Sequence, residues 1–181
     1  MEDKKPKTIR EVAKQINADY KITHTATQRL VKQKVINAQP VGQSLLCQLN
    51  VSYYGTEIYQ AESERREEML KNKNIQQLYQ EITTKVNSGF FILLVFGSYA
   101  KNKQIKGSDI DLLFISNEND FENCTSDILS LLPLKTHHLV FTEKEFIRMK
   151  DAKSSNVIQE AIENNIILYG IETYYQLKNA R

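Results

Sequence analysis

Cysteine is scarce in this chain: Cys47 and Cys124 are the only two, and they lie far apart. Two distant thiols build neither a disulfide framework nor a zinc site, so both read as buried, reduced thiols. Long apolar runs are missing too. The run FFILLVF at 90–96 stops well short of the ~20 residues a membrane helix needs. The first residues, MEDKKPK, lack the apolar stretch of a secretory signal, and a cytoplasmic protein with no membrane partner is expected. Internal repeats and low-complexity tracts are absent as well. Net charge is small, +2, but it is unevenly spread: residues 1–54 hold nine Lys and Arg against four Asp and Glu, and the remainder fifteen against eighteen. A basic first part joined to a mildly acidic second part is expected where only the first meets nucleic acid, although a solvated basic face has the same composition. The 181 residues suffice for one good core, or one core plus a small satellite domain.

What is present is concentrated in residues 90–116, FFILLVFGSYAKNKQIKGSDIDLLFIS. The opening apolar run, rich in aromatic and branched residues, predicts a strand buried on both faces. Gly97-Ser98 interrupts it, a polar segment follows, and a second apolar run begins with Asp109-Ile110-Asp111. Side chains two apart on a strand share a face at ~6.5–7 Å spacing, so the two carboxylates are expected on one side while Ile110 turns into the core. Paired acids at a strand end are costly without a cation between them, which points to a metal. A glycine before the polar segment lets the backbone approach a phosphate. The serine after it is expected to cap a short helix whose free N–H groups face the anion.

Gly-Ser, ten residues and then Asp-x-Asp resembles the signature of the DNA polymerase beta superfamily of nucleotidyltransferases, most closely its minimal, stand-alone branch. The resemblance implies transfer of a nucleoside monophosphate, AMP by preference, from a nucleoside triphosphate to a protein or nucleic-acid hydroxyl. It assigns Gly97 and Ser98 to nucleotide and phosphate binding, and Asp109 and Asp111 to catalysis and to Mg²⁺, with Mn²⁺ as the alternative ion and ATP as the expected nucleotide. Lys101, Lys103 and Lys106 lie in the intervening segment, where they would neutralise phosphate oxygens. The family places a third carboxylate on the following strand, where this chain has LKTHHLVF at 134–141, with His137 and His138. Imidazole can act as a base or ligate a metal, but it matches Mg²⁺ poorly. The plainer alternative makes one histidine a hydrogen-bonded sheet residue and the other solvent-facing. The minimal branch further implies an antitoxin that silences a helical toxin of the HEPN type.

The first part of the chain carries a second pattern. Thr8-Ile9-Arg10-Glu11 reads as a capping box opening a helix over 8–17. A second helix is expected over 23–34, with Ala26, Leu30 and Val31 inward and its polar residues outward. A turn-rich piece at 37–43 and a strand at 44–49 complete a short hairpin. This resembles a winged helix-turn-helix, which implies DNA binding through residues 1–54, with Thr25, Gln28, Arg29 and Lys32 as the contacting side chains. Such a domain usually has a further helix at its start, and homodimerisation would complete the small core.

Residues 55–88 read as linker and packing helices weakened near Asn72-Lys73-Asn74, with Arg65 and Arg66 on a solvated helix face. Residues 89–181 alternate strands with helices, among them one opened by the box Thr142-x-x-Glu145. The expected class is therefore α/β, or α+β, with a mixed sheet flanked by helices. Two functions remain open at this point: a Mg²⁺-dependent nucleotidyltransferase, and a DNA-binding regulator whose nucleotide-binding half is catalytically inactive.

Overall fold

Both capping boxes form. In the computed structural model, which describes residues 6–105 and 107–180, the Thr8 hydroxyl accepts from the Glu11 N–H while the Glu11 carboxylate accepts from the Thr8 N–H at 2.7 Å. Thr142 and Glu145 repeat the arrangement, with the reciprocal bond at 2.9 Å. These bonds from the cap threonines' N–H and hydroxyl groups hold Glu11 and Glu145 below the usual carboxylate range. A lowered folded pKa adds stability that is present above the unfolded value and fades as pH falls through the folded one. Glu145→Ala is therefore expected to lower the chemical-denaturation midpoint at neutral pH. The gap to wild type should close as pH drops below ~4, and a gap that persists unchanged in acid contradicts the assignment.

The chain divides into two compact units, Met1–Ile58 and Tyr59–Arg181. The first contains β1 (Lys7–Thr8), α1 (Ile9–Gln15), α2 (Tyr20–Lys32), β2 (Ile36–Val41) and β3 (Ser44–Leu49), with an antiparallel sheet in the order β1-β3-β2. Helix α2 starts three residues earlier than its periodicity suggests, because the Asp19 carboxylate accepts from the N–H groups of Lys21 and Ile22. Its buried residues are Thr23 and Thr27 while Ala26 is exposed, which corrects the expected inward face. The Thr23 hydroxyl is satisfied by donating to the Asp19 carbonyl, and that bond is what makes a polar residue tolerable inside. The piece expected to be a turn is mostly strand β2, and the reversal is confined to residues 42–43, with Gly42 at φ +57°.

The division between units falls in the first turn of α3 (Thr56–Leu70), which is followed by α4 (Lys73–Lys85) with Asn72 as its N-cap. Then come β4 (Ile92–Phe96), α5 (Gly97–Ala100), β5 (Ile110–Ile115), α6 (Phe121–Ser130) and β6 (Thr136–Phe141). The chain closes with α7 (Glu143–Lys150), α8 (Val157–Glu163), β7 (Asn165–Tyr169) and α9 (Ile171–Asn179). The sheet runs β6-β5-β4-β7, parallel between β5 and β6 and antiparallel elsewhere, so it is mixed as expected.

Alternation along these strands builds two layers. Leu93, Val95, Leu112 and Phe114 join Ile75, Leu78 and Ile82 of α4 and Ile128 of α6 in one core. Leu94, Leu113 and Ile167 point the other way and are buried too, as are Phe146, Ile158 and Tyr174 of the later helices. A strand covered on both faces has no polar positions to alternate, which is why 92–96 is unbroken apolar; the strand is shorter than the run at 90–96, and Phe90 before it is exposed. No helix among the described residues is long and apolar enough to cross a membrane.

Candidate active site

Gly97 leaves β4 in the left-handed region, at φ +65°. Register puts Phe96 opposite Asp111, so the chain turns beside that carboxylate. A Cβ built on Gly97 would overlap the Asp111 Oδ2 atom and stand 3.0 Å from its Cγ. The position therefore requires glycine twice, for its backbone angle and for the space Asp111 occupies. The structure brings Gly97 and Asp111 together. Asp109 is exposed and lies one residue before β5, at the rim of an open groove of about 470 Å³ bordered also by Ser126, Ser130, Lys135, Thr136 and His138.

Ser98 is the second residue of α5, and the N-cap is Phe96, which makes no side-chain cap bond. The expected capping serine is corrected: Ser98 lies inside the helix, one residue past its start, so its side chain is not at the cap position. Ser98 contributes its carbonyl, which accepts from the Lys103 N–H at 2.9 Å. Among the lysines of the segment, Lys101 is paired with Glu160 of α8 at 3.1 Å, Lys103 is exposed, and Lys106 lies outside the described residues. Ser108 pins the approach to Asp109, its hydroxyl accepting from the Ile105 N–H at 2.9 Å while its own N–H donates to the Ile105 carbonyl.

The parallel pairing of β6 with β5 sets His137 opposite Asp111. His137 Nδ1 lies 3.5 Å from Asp111 Oδ1, with the histidine side chain 61% exposed and the aspartate 29%. His138 faces the other way and shares a 2.9 Å hydrogen bond with the Ser126 hydroxyl. One histidine is thus tied into the α6 side of the sheet and the other stands at its open edge beside a carboxylate.

A latch that sequence periodicity does not reveal steadies this edge from the opposite side. Arg65, expected on a solvated face, donates to Glu62 at 2.7 Å and to the Asn165 carbonyl at 2.6 Å. Asn165 pairs with Phe96, the residue before Gly97. Glu62 is buried and accepts from the Tyr175 hydroxyl at 2.7 Å. Burial first, and the Glu62 carboxylate second, push the Tyr175 hydroxyl well above the usual phenol range, so it remains a donor. The only sequence signal for this latch is a glutamate in the middle of a helix that otherwise has no apolar stripe.

The structure brings Asp111 and His137 together at one strand end, while Asp109 borders the groove that also takes in His138, so a cation beside Asp111 would take the rest of its coordination from the substrate. Among the described residues no three His, Cys, Asp or Glu side chains gather into a ready-made cage. Mg²⁺ is commonly held by one or two carboxylates plus substrate phosphates, so the donor set fits that mode of binding. The space a side chain on Gly97 would take is filled by the Asp111 carboxylate, which sets that carboxylate against the turn. The proposed DNA-contacting residues belong to the other unit, on one face of α2 by their spacing. There Thr25, Arg29 and Lys32 are exposed and Gln28 is half-buried, and the Thr25 hydroxyl donates back to the Lys21 carbonyl.

A family model described as polymerase beta, nucleotidyltransferase, matches residues 80–173, just over half of the chain. A search of the curated proteins finds no match. Among solved structures, one described as a toxin-antitoxin with AMP-PNP is similar at 19% identity and a TM-score of 0.40, covering 59% of this chain and 79% of its own.

Proposed function

The chain belongs to the polymerase beta nucleotidyltransferase family, and from that premise we propose that it moves a nucleoside monophosphate, AMP by preference, from a nucleoside triphosphate to a hydroxyl on a protein or nucleic acid. The observation that carries the reading is the left-handed Gly97 seated against the Asp111 carboxylate, which keeps a backbone turn and an acidic group in contact at one strand edge. In this reading residues 89–181 form the catalytic part. Asp111 and Asp109 hold the cation, and Gly97 with Ser98 lets the triphosphate approach the backbone. Lys103 is exposed to meet its oxygens, while Lys101 is engaged by Glu160. Mg²⁺ held there would supply charge neutralisation on the phosphates.

Incubation with Mg²⁺ and ATP labelled at the α-phosphate should give labelled acceptor and one pyrophosphate for each transfer. Asp109→Ala/Asp111→Ala should give neither. Pyrophosphate release that continues in the double variant at the wild-type rate contradicts the reading. The acceptor class implied by the minimal branch is a tyrosine of a HEPN-type toxin, which would make the chain an antitoxin, and label on such a toxin co-incubated with the chain supports this.

A second reading, a DNA-binding regulator with an inactive nucleotide-binding half, is favoured by the exposed Thr25, Arg29 and Lys32 on one face of α2. It expects the full chain to retain duplex DNA at low salt and release it as salt rises, with Arg29→Ala/Lys32→Ala weakening retention. No retention at low salt contradicts it.

A further inference from the structure

We propose that His137 is itself a metal ligand, and that with Asp111 it turns the cation site of this chain toward Mn²⁺ and away from Mg²⁺. The inference rests on the nucleotide-transfer reading only in taking a cation to bind at this strand edge. Parallel register places His137 opposite Asp111, on the same face of the sheet and at the end where the chain leaves β4 through Gly97. The separation of 3.5 Å between Nδ1 and Oδ1 exceeds the ~2.7–3.2 Å of a good N–H···O hydrogen bond. Two donors each about 2.1–2.2 Å from a shared cation, and roughly 90–110° apart around it, stand about 3.0–3.6 Å from one another. The observed spacing falls within that range.

His138 supplies the contrast within the same strand. It is half-buried and hydrogen-bonded to Ser126 at 2.9 Å, as a structural imidazole should be. His137 is 61% exposed, so packing does not account for the orientation of its ring. The choice of nitrogen has a chemical consequence. Mg²⁺ demands oxygen ligands, whereas first-row divalent ions accept imidazole, and Mn²⁺ is the one among them that also accepts carboxylate and phosphate oxygens readily. A histidine where the family resemblance expects a third carboxylate therefore changes which ion is held.

The test uses the full chain, grown with histidine carrying the heavy nitrogen isotope, loaded with Mn²⁺ and a non-hydrolysable ATP analogue. Pulsed electron paramagnetic resonance should show coupling between Mn²⁺ and the heavy nitrogen, and His137→Ala should abolish it. Calorimetry should find Mn²⁺ bound roughly tenfold or more tightly than Mg²⁺ in the wild type. That advantage should disappear in His137→Ala, and His137→Asp should return the preference to Mg²⁺. Mn²⁺ bound without heavy-nitrogen coupling overturns the proposal, as does coupling that survives in His137→Ala or a failure of the chain to bind Mn²⁺ at all. Coupling with no AMP transfer sinks the transferase reading instead, and leaves His137 as a ligand.

Discussion

Gly97→Ala is expected to lose nucleotidyl transfer and to destabilise the fold in one step. An alanine at φ +65° costs about 1–2 kcal/mol in backbone strain. Its methyl group would also collide with the Asp111 carboxylate, so either the strand edge or the aspartate must move, at a further ~1 kcal/mol or more. Together these should lower the melting midpoint by roughly 5–10 °C. The transfer rate per folded molecule should fall more than a hundredfold, because displacement of a reacting group by about 1 Å already costs that much. Gly170→Ala is the matched control. Gly170 also has a left-handed backbone, φ +79°, and an added Cβ would stand 2.9 Å from the Phe91 carbonyl oxygen. It lies at the other end of the β4–β7 pair, after Tyr169 opposite Leu93. Gly170→Ala should therefore destabilise to a similar degree and leave transfer by the folded fraction intact. Equal activity losses in the two variants would show that Gly97 matters only for folding.

Asp111→Asn should separate the two quantities in the opposite sense. The amide keeps the shape of the carboxylate beside Gly97 but loses the charge that holds a cation. Transfer should drop by about three orders of magnitude, equivalent to the several kcal/mol a coordinated metal contributes. Stability should change little, since a solvent-accessible pair such as Asp111 with His137 is worth only ~0–1 kcal/mol. Groups arranged for function are commonly suboptimal for stability. A variant that melts well below wild type would mean that Asp111 is a structural residue.

How far these features can be read from the sequence depends on whether they are local. Capping boxes at Thr8 and Thr142, and the short break before α4, each involve residues three or four apart, and they are legible at once. The same holds for strand β4, where seven apolar residues in a row admit few other readings. The start of α2 is less legible because its cap is Asp19, ahead of the periodic residues, and its inward face is less legible because it buries two threonines, Thr23 and Thr27. At the site, the Gly-Ser and Asp-x-Asp spacing pointed to residues 97–111, but two relations depend on strand register and are invisible along the chain. One is the seating of Asp111 in the space left by Gly97. The other is the pairing that sets His137 rather than His138 beside Asp111. The Glu62–Arg65–Tyr175 latch spans more than a hundred residues and appears only once β7 is laid next to β4.

The most direct measurement is a calorimetric titration of the full chain with a non-hydrolysable ATP analogue, with and without a divalent cation, in wild type and Asp111→Asn. One nucleotide per chain should bind with an affinity that depends on the cation in the wild type, and that dependence should vanish in the variant while its melting midpoint holds. Heat that is absent with every cation, or that is identical in the two proteins, would contradict a metal–nucleotide site at the Gly97–Asp111 edge.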